Sequence, residues 1–159
     1  MKTINLICVG RLKEDYLRAA CAEYEKRLKA TVKLNITEIT PVPLPEKPSE
    51  KQVFAALEAE GRQIIQKIPP GSFVVAMCVE GRQLSSEELS GRLSDAEING
   101  KKPCFIIGGS FGMSPDVKAL ADLRLSVSKM TFPHQLFRVM LLEQIYRSEQ
   151  IQLHTKYHK

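Results

Sequence analysis

The sequence predicts an α/β fold: a mostly parallel sheet with helices on both faces, closing in a long C-terminal helix. Three observations carry this expectation. Strand-like runs alternate with helical segments almost from end to end, the order that builds a parallel sheet. Two runs, FVVAMCV at 73–79 and PCFII at 103–107, are apolar throughout, as strands covered on both faces are. Glycine, proline and asparagine punctuate the boundaries between the segments, at 10, 41–48, 69–71, 99–100 and 108–112.

The elements follow in order. TINLICV at 3–9 is rich in β-branched and apolar residues, reads as the first strand, and ends at Gly10. Over 13–29, Tyr16, Leu17, Ala20, Cys21, Tyr24 and Leu28 recur at helical spacing with charges between them. VKLNITEIT at 32–40 alternates apolar and polar, the pattern of a half-exposed strand. Pro41–Pro48 holds four prolines in eight residues and is an irregular connection, because proline lacks the N–H that helix and sheet interiors need. Ser49 then reads as an N-cap with Gln52 at the capping-box position, opening a helix to about Lys67 with Val53, Leu57, Ile64 and Ile68 on one face. Pro69-Pro70-Gly71 stops it. After the 73–79 strand and Gly81, Ser85 or Ser86 starts a helix over about 86–98. The 103–107 strand runs into the turn GGSFG, and Ser114-Pro115 caps a short helix over about 115–121. A last strand at 123–127, the loop SKMTFPH, and a helix from about Gln135 to Ile151 complete one domain over 1–159.

A net charge of +5 suits a polyanionic partner without demanding one. No apolar run is long enough to span a bilayer, and the N-terminus lacks a signal-peptide cleavage site. Cys8, Cys21, Cys78 and Cys104 form no CxxC pair or zinc spacing and read as small hydrophobes in a reducing compartment.

Four features bear on chemistry. The GGSFG turn lets a ligand approach the main chain closely, at the strand ends where open α/β sheets bind ligands; a tight turn with nothing bound fits the residues equally. The loop from Ser126 to His134 is a polar wall beside it, or an ordinary helix entry. The closing helix is apolar around most of its circumference. Leu141, Ile145, Leu142, Tyr146 and Val139 form one arc, and Leu136, Met140 and Phe137 extend it, which points to a homodimer over a monomer's central helix. Arg138 interrupts that arc and must meet a carboxylate, carbonyls or a phosphate; an ion pair at the dimer interface is the competing reading. Glu143 and Arg147 are a helix-surface pair. The tail, with His154, Lys156, Tyr157, His158 and Lys159, offers phosphate attraction and base stacking, or simply frays.

The segments FIIGGSFGMSPDV (105–117), LSVSKMTFPHQLFRVMLLEQIYR (125–147) and the ending YHK closely resemble the bacterial ribosomal large-subunit methyltransferase H family, as do GRLKEDYLRAACAEYEKRL (10–28) and MCVEGRQLSSEELS (77–90). The resemblance covers essentially the whole chain. It implies a SPOUT methyltransferase: a homodimer with a trefoil knot in its C-terminal part, an exception to the rule that connections do not thread loops. It also implies methyl transfer from S-adenosylmethionine, without a metal, to N3 of the pseudouridine at position 1915, in helix 69 of 23S rRNA. The substrate would be the assembled ribosome, in the cytoplasm, with no membrane involved. By the same resemblance the cofactor pocket comprises Met77, Gly108, Gly109, Val127, Ser128, Lys129, Met130, Thr131 and Phe132. His134, Arg138, Tyr157 and His158 match catalytic positions on the RNA side. Arg138 would stabilise the anion that develops at N3, and His134 or His158 would take its proton. Family members carry an acidic residue where this chain has Cys78. A non-catalytic RNA-binding module and a small nucleotide or phosphate binder are the alternatives without the resemblance.

Overall fold

The computed structural model describes residues 1–158, and Lys159 lies outside the described residues. Ten elements follow in the order β1 (Lys2–Val9), α1 (Asp15–Leu28), β2 (Val32–Ile39), α2 (Glu50–Lys67), β3 (Ser72–Gln83), α3 (Ser86–Ile98), β4 (Lys102–Ile107), α4 (Pro115–Leu120), β5 (Leu123–Ser126) and α5 (His134–Gln152). The strands form one sheet in the order β2-β1-β4-β3-β5, every neighbouring pair parallel. β2 stands at an edge, which is why its sequence alternates; β4 stands in the middle and is buried from Pro103 to Ile107.

Side chains alternate between two cores, as a period of two requires. One face of the sheet turns Ile4, Leu6, Cys8, Val75, Met77, Phe105 and Ile107 toward α1, α3 and α5. The other turns Ile7, Val9, Val74, Ala76, Cys104 and Ile106 toward Ile64 of α2 and Val117 of α4. Burial pushes the thiols of Cys8 and Cys104 up to about 12, so both remain neutral core groups; Cys21 is buried on α1 and Cys78 only half-buried.

The predicted capping box of Ser49 with Gln52 forms, and of the two serines that could open α3 it is Ser85 that caps it, in a second box with Glu88. The buried residues of α2 are Ala56, Glu60, Gly61 and Ile64, whereas Val53, Leu57 and Ile68 are only half-buried. Small residues win that position because the helix comes very close to α4: a Cβ on Gly61 would lie 2.3 Å from Ser114 Oγ. Buried Glu60 accepts a hydrogen bond from the Val42 amide (2.8 Å) and so fastens the proline-rich connection to α2. At the far end of the sheet, the Asp122 carboxylate accepts from the Val74 amide (2.8 Å) and sets β5 beside β3. β3 is longer than the apolar run that announces it, and its irregular second half shapes the site described next.

Candidate functional site

The site is assembled at the carboxyl ends of β3, β4 and β5. β4 ends at Ile107, and the chain immediately doubles back. Gly109 and Gly112 exchange two backbone hydrogen bonds, 3.2 and 3.0 Å long. A Cβ on Gly108 would stand 2.3 Å from the Gly112 carbonyl oxygen, so this position accommodates hydrogen alone. Ser110 and Phe111 are left exposed at the tip. The Ser114 hydroxyl then accepts from the Val117 amide and opens α4, with Pro115 at its first position.

Met77 and Arg82 of β3 both pair with Leu125 of β5, so residues 78–81 leave the ladder and bulge outward. Gly81 permits the return, because a Cβ there would lie 2.8 Å from the backbone of Arg124 and Leu125. Sequence reasoning ended this strand at Val79 and missed the excursion; Gly81, two residues past the apolar run, was the available signal. β5 ends at Ser126, whose hydroxyl donates to the Ser128 carbonyl (2.9 Å), while the Ser128 hydroxyl accepts from the Met130 amide (3.0 Å). Two serines thus hold an otherwise irregular loop in one shape.

These three segments enclose a cavity of about 360 Å³, within the range of small-molecule sites. Met77, Gly108, Gly109, Val127, Ser128, Met130, Thr131 and Phe132 line it, together with His134 and the unpredicted Cys78, Val79, Glu80, Leu125 and Phe137. Lys129, in the same loop, is exposed and not part of the wall. Among the described residues, the amides of Ser110, Phe111, Ser128, Lys129, Thr131 and Phe132 have no hydrogen-bond partner. A cavity lined by five of these six residues, all but Lys129, can hold a flat heterocycle against its apolar side chains and read its edges through the backbone. Glu80 is hydrogen-bonded to Lys118 at the rim, and that ammonium holds its carboxyl below the usual range. Burial, and then the positive charges of Arg138 and Lys13, lower the proton affinity of His134 and keep its imidazole neutral.

Arg138 lies one turn beyond His134 on α5 but does not line the cavity. It is 5 % exposed; its Nη1 donates to Glu38 Oε2 at 2.7 Å and its Nη2 to the Gly10 carbonyl at 3.0 Å. It thus meets both the carboxylate and the carbonyl its burial requires, and both belong to its own chain. A Cβ on Gly10 would be 3.8 Å from His134 Nε2, so Arg138, Gly10 and His134 form one cluster beside the cavity.

Tyr157 and His158 stand elsewhere, folded back on α5. The Tyr157 hydroxyl donates to Glu143 (2.9 Å), its ring meets Tyr146 edge-on at 4.9 Å, and Arg147 lies over it at 4.8 Å. His158 Nδ1 is 3.2 Å from Arg147 and its Nε2 is 2.6 Å from Glu87. Glu143 and Arg147 are five and nine residues beyond Arg138 on α5, roughly 8 and 14 Å along the axis at about 1.5 Å per residue. Within this chain, then, Tyr157 and His158 are docked and not frayed, and they are well separated from the cavity. The Glu143–Arg147 pair expected at the helix surface is half-buried beneath it (2.7 Å).

Fold and site define a class: a parallel α/β protein with a ligand cavity at the carboxyl edge of its sheet, built on a reversed glycine turn and a tethered loop. A family profile described as "Predicted SPOUT methyltransferase" matches residues 1–158. The chain is 49% identical over 157 residues to a protein of Clostridium acetobutylicum named ribosomal RNA large subunit methyltransferase H, covering 98% of this chain and 99% of that one. Proteins of the same name from Bifidobacterium animalis and Clostridioides difficile are 46% and 45% identical over the same shares. The chain belongs to the SPOUT methyltransferases and, within them, to the ribosomal RNA large subunit methyltransferase H family. In fold it resembles a probable methylase family protein from Haemophilus influenzae (TM-score 0.54, 10% identity, covering 97% of this chain and 67% of that one). It also resembles a putative methylase family protein from Neisseria gonorrhoeae (TM-score 0.52, 13% identity, 91% and 82%).

Proposed function

We propose that this chain, as a single SPOUT domain, is a cytoplasmic rRNA methyltransferase that moves a methyl group from S-adenosylmethionine to N3 of the pseudouridine in helix 69 of 23S rRNA, acting on the assembled ribosome as a homodimer with a knotted C-terminal part. The observation that carries the reading is the cavity. Eight of the nine positions expected to bind the donor line one enclosed space, and that space offers apolar walls and free backbone amides of the kind adenosine needs. Lys129 stands outside the wall, so it is assigned no contact with the donor.

The donor supplies an electrophilic methyl on a sulfonium. The protein's task is to bring N3 into line with it and to manage the imide proton. His134 reaches the cavity with a neutral imidazole and is the group suited to accept that proton. As N3 attacks, the C–S bond breaks, its electrons return to sulfur, and the proton passes to the base. Arg138, paired with Glu38, places a fixed positive charge one turn away on the same helix, where it favours the developing anion. Tyr157 and His158 serve the RNA side. Because they are held far from the cavity of their own protomer, a dimer that sets the tail of one chain near the cavity of the other is the arrangement that uses them.

Purified protein incubated with radiolabelled S-adenosylmethionine and ribosomes from a strain lacking the gene tests this directly. Label mapped to N3 of the helix 69 pseudouridine is the expected outcome. A folded protein that binds the donor and transfers no label would sink the proposal in favour of an RNA-binding module.

A further inference from the structure

A second concavity adjoins the first and is absorbed by none of the roles above. It lies where the chain leaves β1 at Gly10 and enters α1, and its walls are Arg11, Leu12, Lys13, Arg18 and Glu38. This is an open groove of about 710 Å³, separated from the donor cavity by His134 and Arg138. Three hydrogen bonds fix its backbone: the Lys13 amide to Gln135 Oε1 (2.8 Å), Arg18 Nη1 to the Leu12 carbonyl (2.9 Å), and Arg138 Nη2 to the Gly10 carbonyl (3.0 Å). None of the three uses the side chains of Arg11 or Lys13.

The charges there divide unevenly. Glu38 is engaged by Arg138 and Asp15 by Arg18, while Glu14 is exposed nearby. Arg11 and Lys13 are exposed and, among the described residues, have no ion-pair partner. A rigid loop therefore presents two uncommitted cations beside the mouth of the methyl-transfer cavity, with a third, Arg18, in an exposed pair that a phosphate can compete for. Flexible surface cations lose entropy when they bind; cations on a pinned loop lose less.

We propose that this groove docks the sugar-phosphate backbone of the RNA strand flanking the target nucleotide, with Arg11 and Lys13 on successive phosphates. The inference rests on the rRNA methyltransferase reading, which it deepens by assigning a recognition surface. It requires contacts that position without reading sequence, as phosphate contacts do.

The test is the double variant Arg11→Ala, Lys13→Ala, which leaves the fixing hydrogen bonds intact. Ribosome binding and methyl transfer are measured against salt concentration, and donor affinity is measured separately by calorimetry. The expected result is a roughly tenfold rise in the apparent Kd and KM for ribosomes, with the slope of log K against log salt reduced by about 1–2. Donor affinity should be unchanged, and kcat at saturating ribosome should be unchanged in the single variant Arg11→Ala, since Lys13 also helps to hold His134 neutral. Unaltered ribosome affinity and salt slope would overturn the assignment. Arg11→Cys carrying an aryl azide should cross-link to rRNA; cross-linking only to a ribosomal protein would also overturn it. Salt-dependent binding that the double variant weakens, in a protein that methylates nothing, would retain the groove and remove the catalytic reading.

Discussion

At the residue scale, the site is set by atoms that are missing as much as by those present. Gly108→Ala drives a methyl into the Gly112 carbonyl, a backbone contact that cannot swing away. The expected outcome is a loss of about 1–3 kcal/mol in chemical denaturation and loss of donor binding in calorimetry. His134 gives a pH test whose sign is fixed by its surroundings. Burial and two nearby cations lower its proton affinity, so its neutral form persists below the ordinary histidine midpoint of about 6.5. On the acid side, kcat/KM should therefore hold until the pH is below that value and then fall, and His134→Gln should remove the limb. The same depression means that whatever stability His134 contributes is present above about pH 6.5 and lost as the pH falls. Arg138 is a different case. Its guanidinium bridges β2 and the end of β1, and Glu38 is half-exposed. Arg138→Ala should cost about 2 kcal/mol, since water can rehydrate Glu38, yet abolish methyl transfer in a still folded chain. Arg138→Lys keeps the charge without the two-point bridge and should recover stability more than rate.

At the element scale, the tail is the informative segment. Composition and position make a frayed end the ordinary expectation for six polar and aromatic residues after a helix. The fold instead stacks Tyr157 between Tyr146 and Arg147 and ties His158 to α3 through Glu87. Of the described contacts, truncation of 157–159 removes those of Tyr157 and His158 with α5 and with Glu87 of α3, and none within the two buried clusters. Circular dichroism and the melting temperature should change little, while methylation of ribosomes is lost. If the truncated chain methylates at the wild-type rate, Tyr157 and His158 have no part in the reaction. Ser49 shows the converse: Ser49→Ala should cost about 1 kcal/mol through the lost cap of α2 and leave methyl transfer untouched.

At the scale of the whole molecule, apolar residues gather at the carboxyl edge of the sheet. Val79, Phe111, Val127, Met130, Phe132 and Leu136 are all more than a third exposed around the cavity, and such a patch on a small protein calls for a cover. In the proposed dimer a second copy supplies it. Leu136→Glu, on the exposed flank of α5, should shift sedimentation from dimer to monomer and reduce methylation with it; a monomeric variant with full activity would dissociate the site from dimerisation.

The amino-acid order by itself determined the layers. Alternation at 32–40 marked a half-exposed strand and unbroken apolar runs marked those covered on both faces, because burial acts on each strand at its own repeat. Ser49, Ser114 and the pair Ser85–Ser86 marked helix starts, because a cap is a contact across three residues. The glycine turn and the loop from Ser126 to His134 read by their residues as a cavity wall or an ordinary connection, and the family resemblance, carried by stretches continuous in sequence, singled out Val127 to Phe132. Only the tertiary structure decided the remainder. The partner of Arg138 lies a hundred residues away on β2. The excursion at 78–81 exists because β5 registers against β3 on both sides of it. The exclusion of Lys129 from the wall depends on how two serines fold one loop. Contacts between segments remote in sequence have no period and no fixed spacing, so they become readable only when the sheet has set their distance.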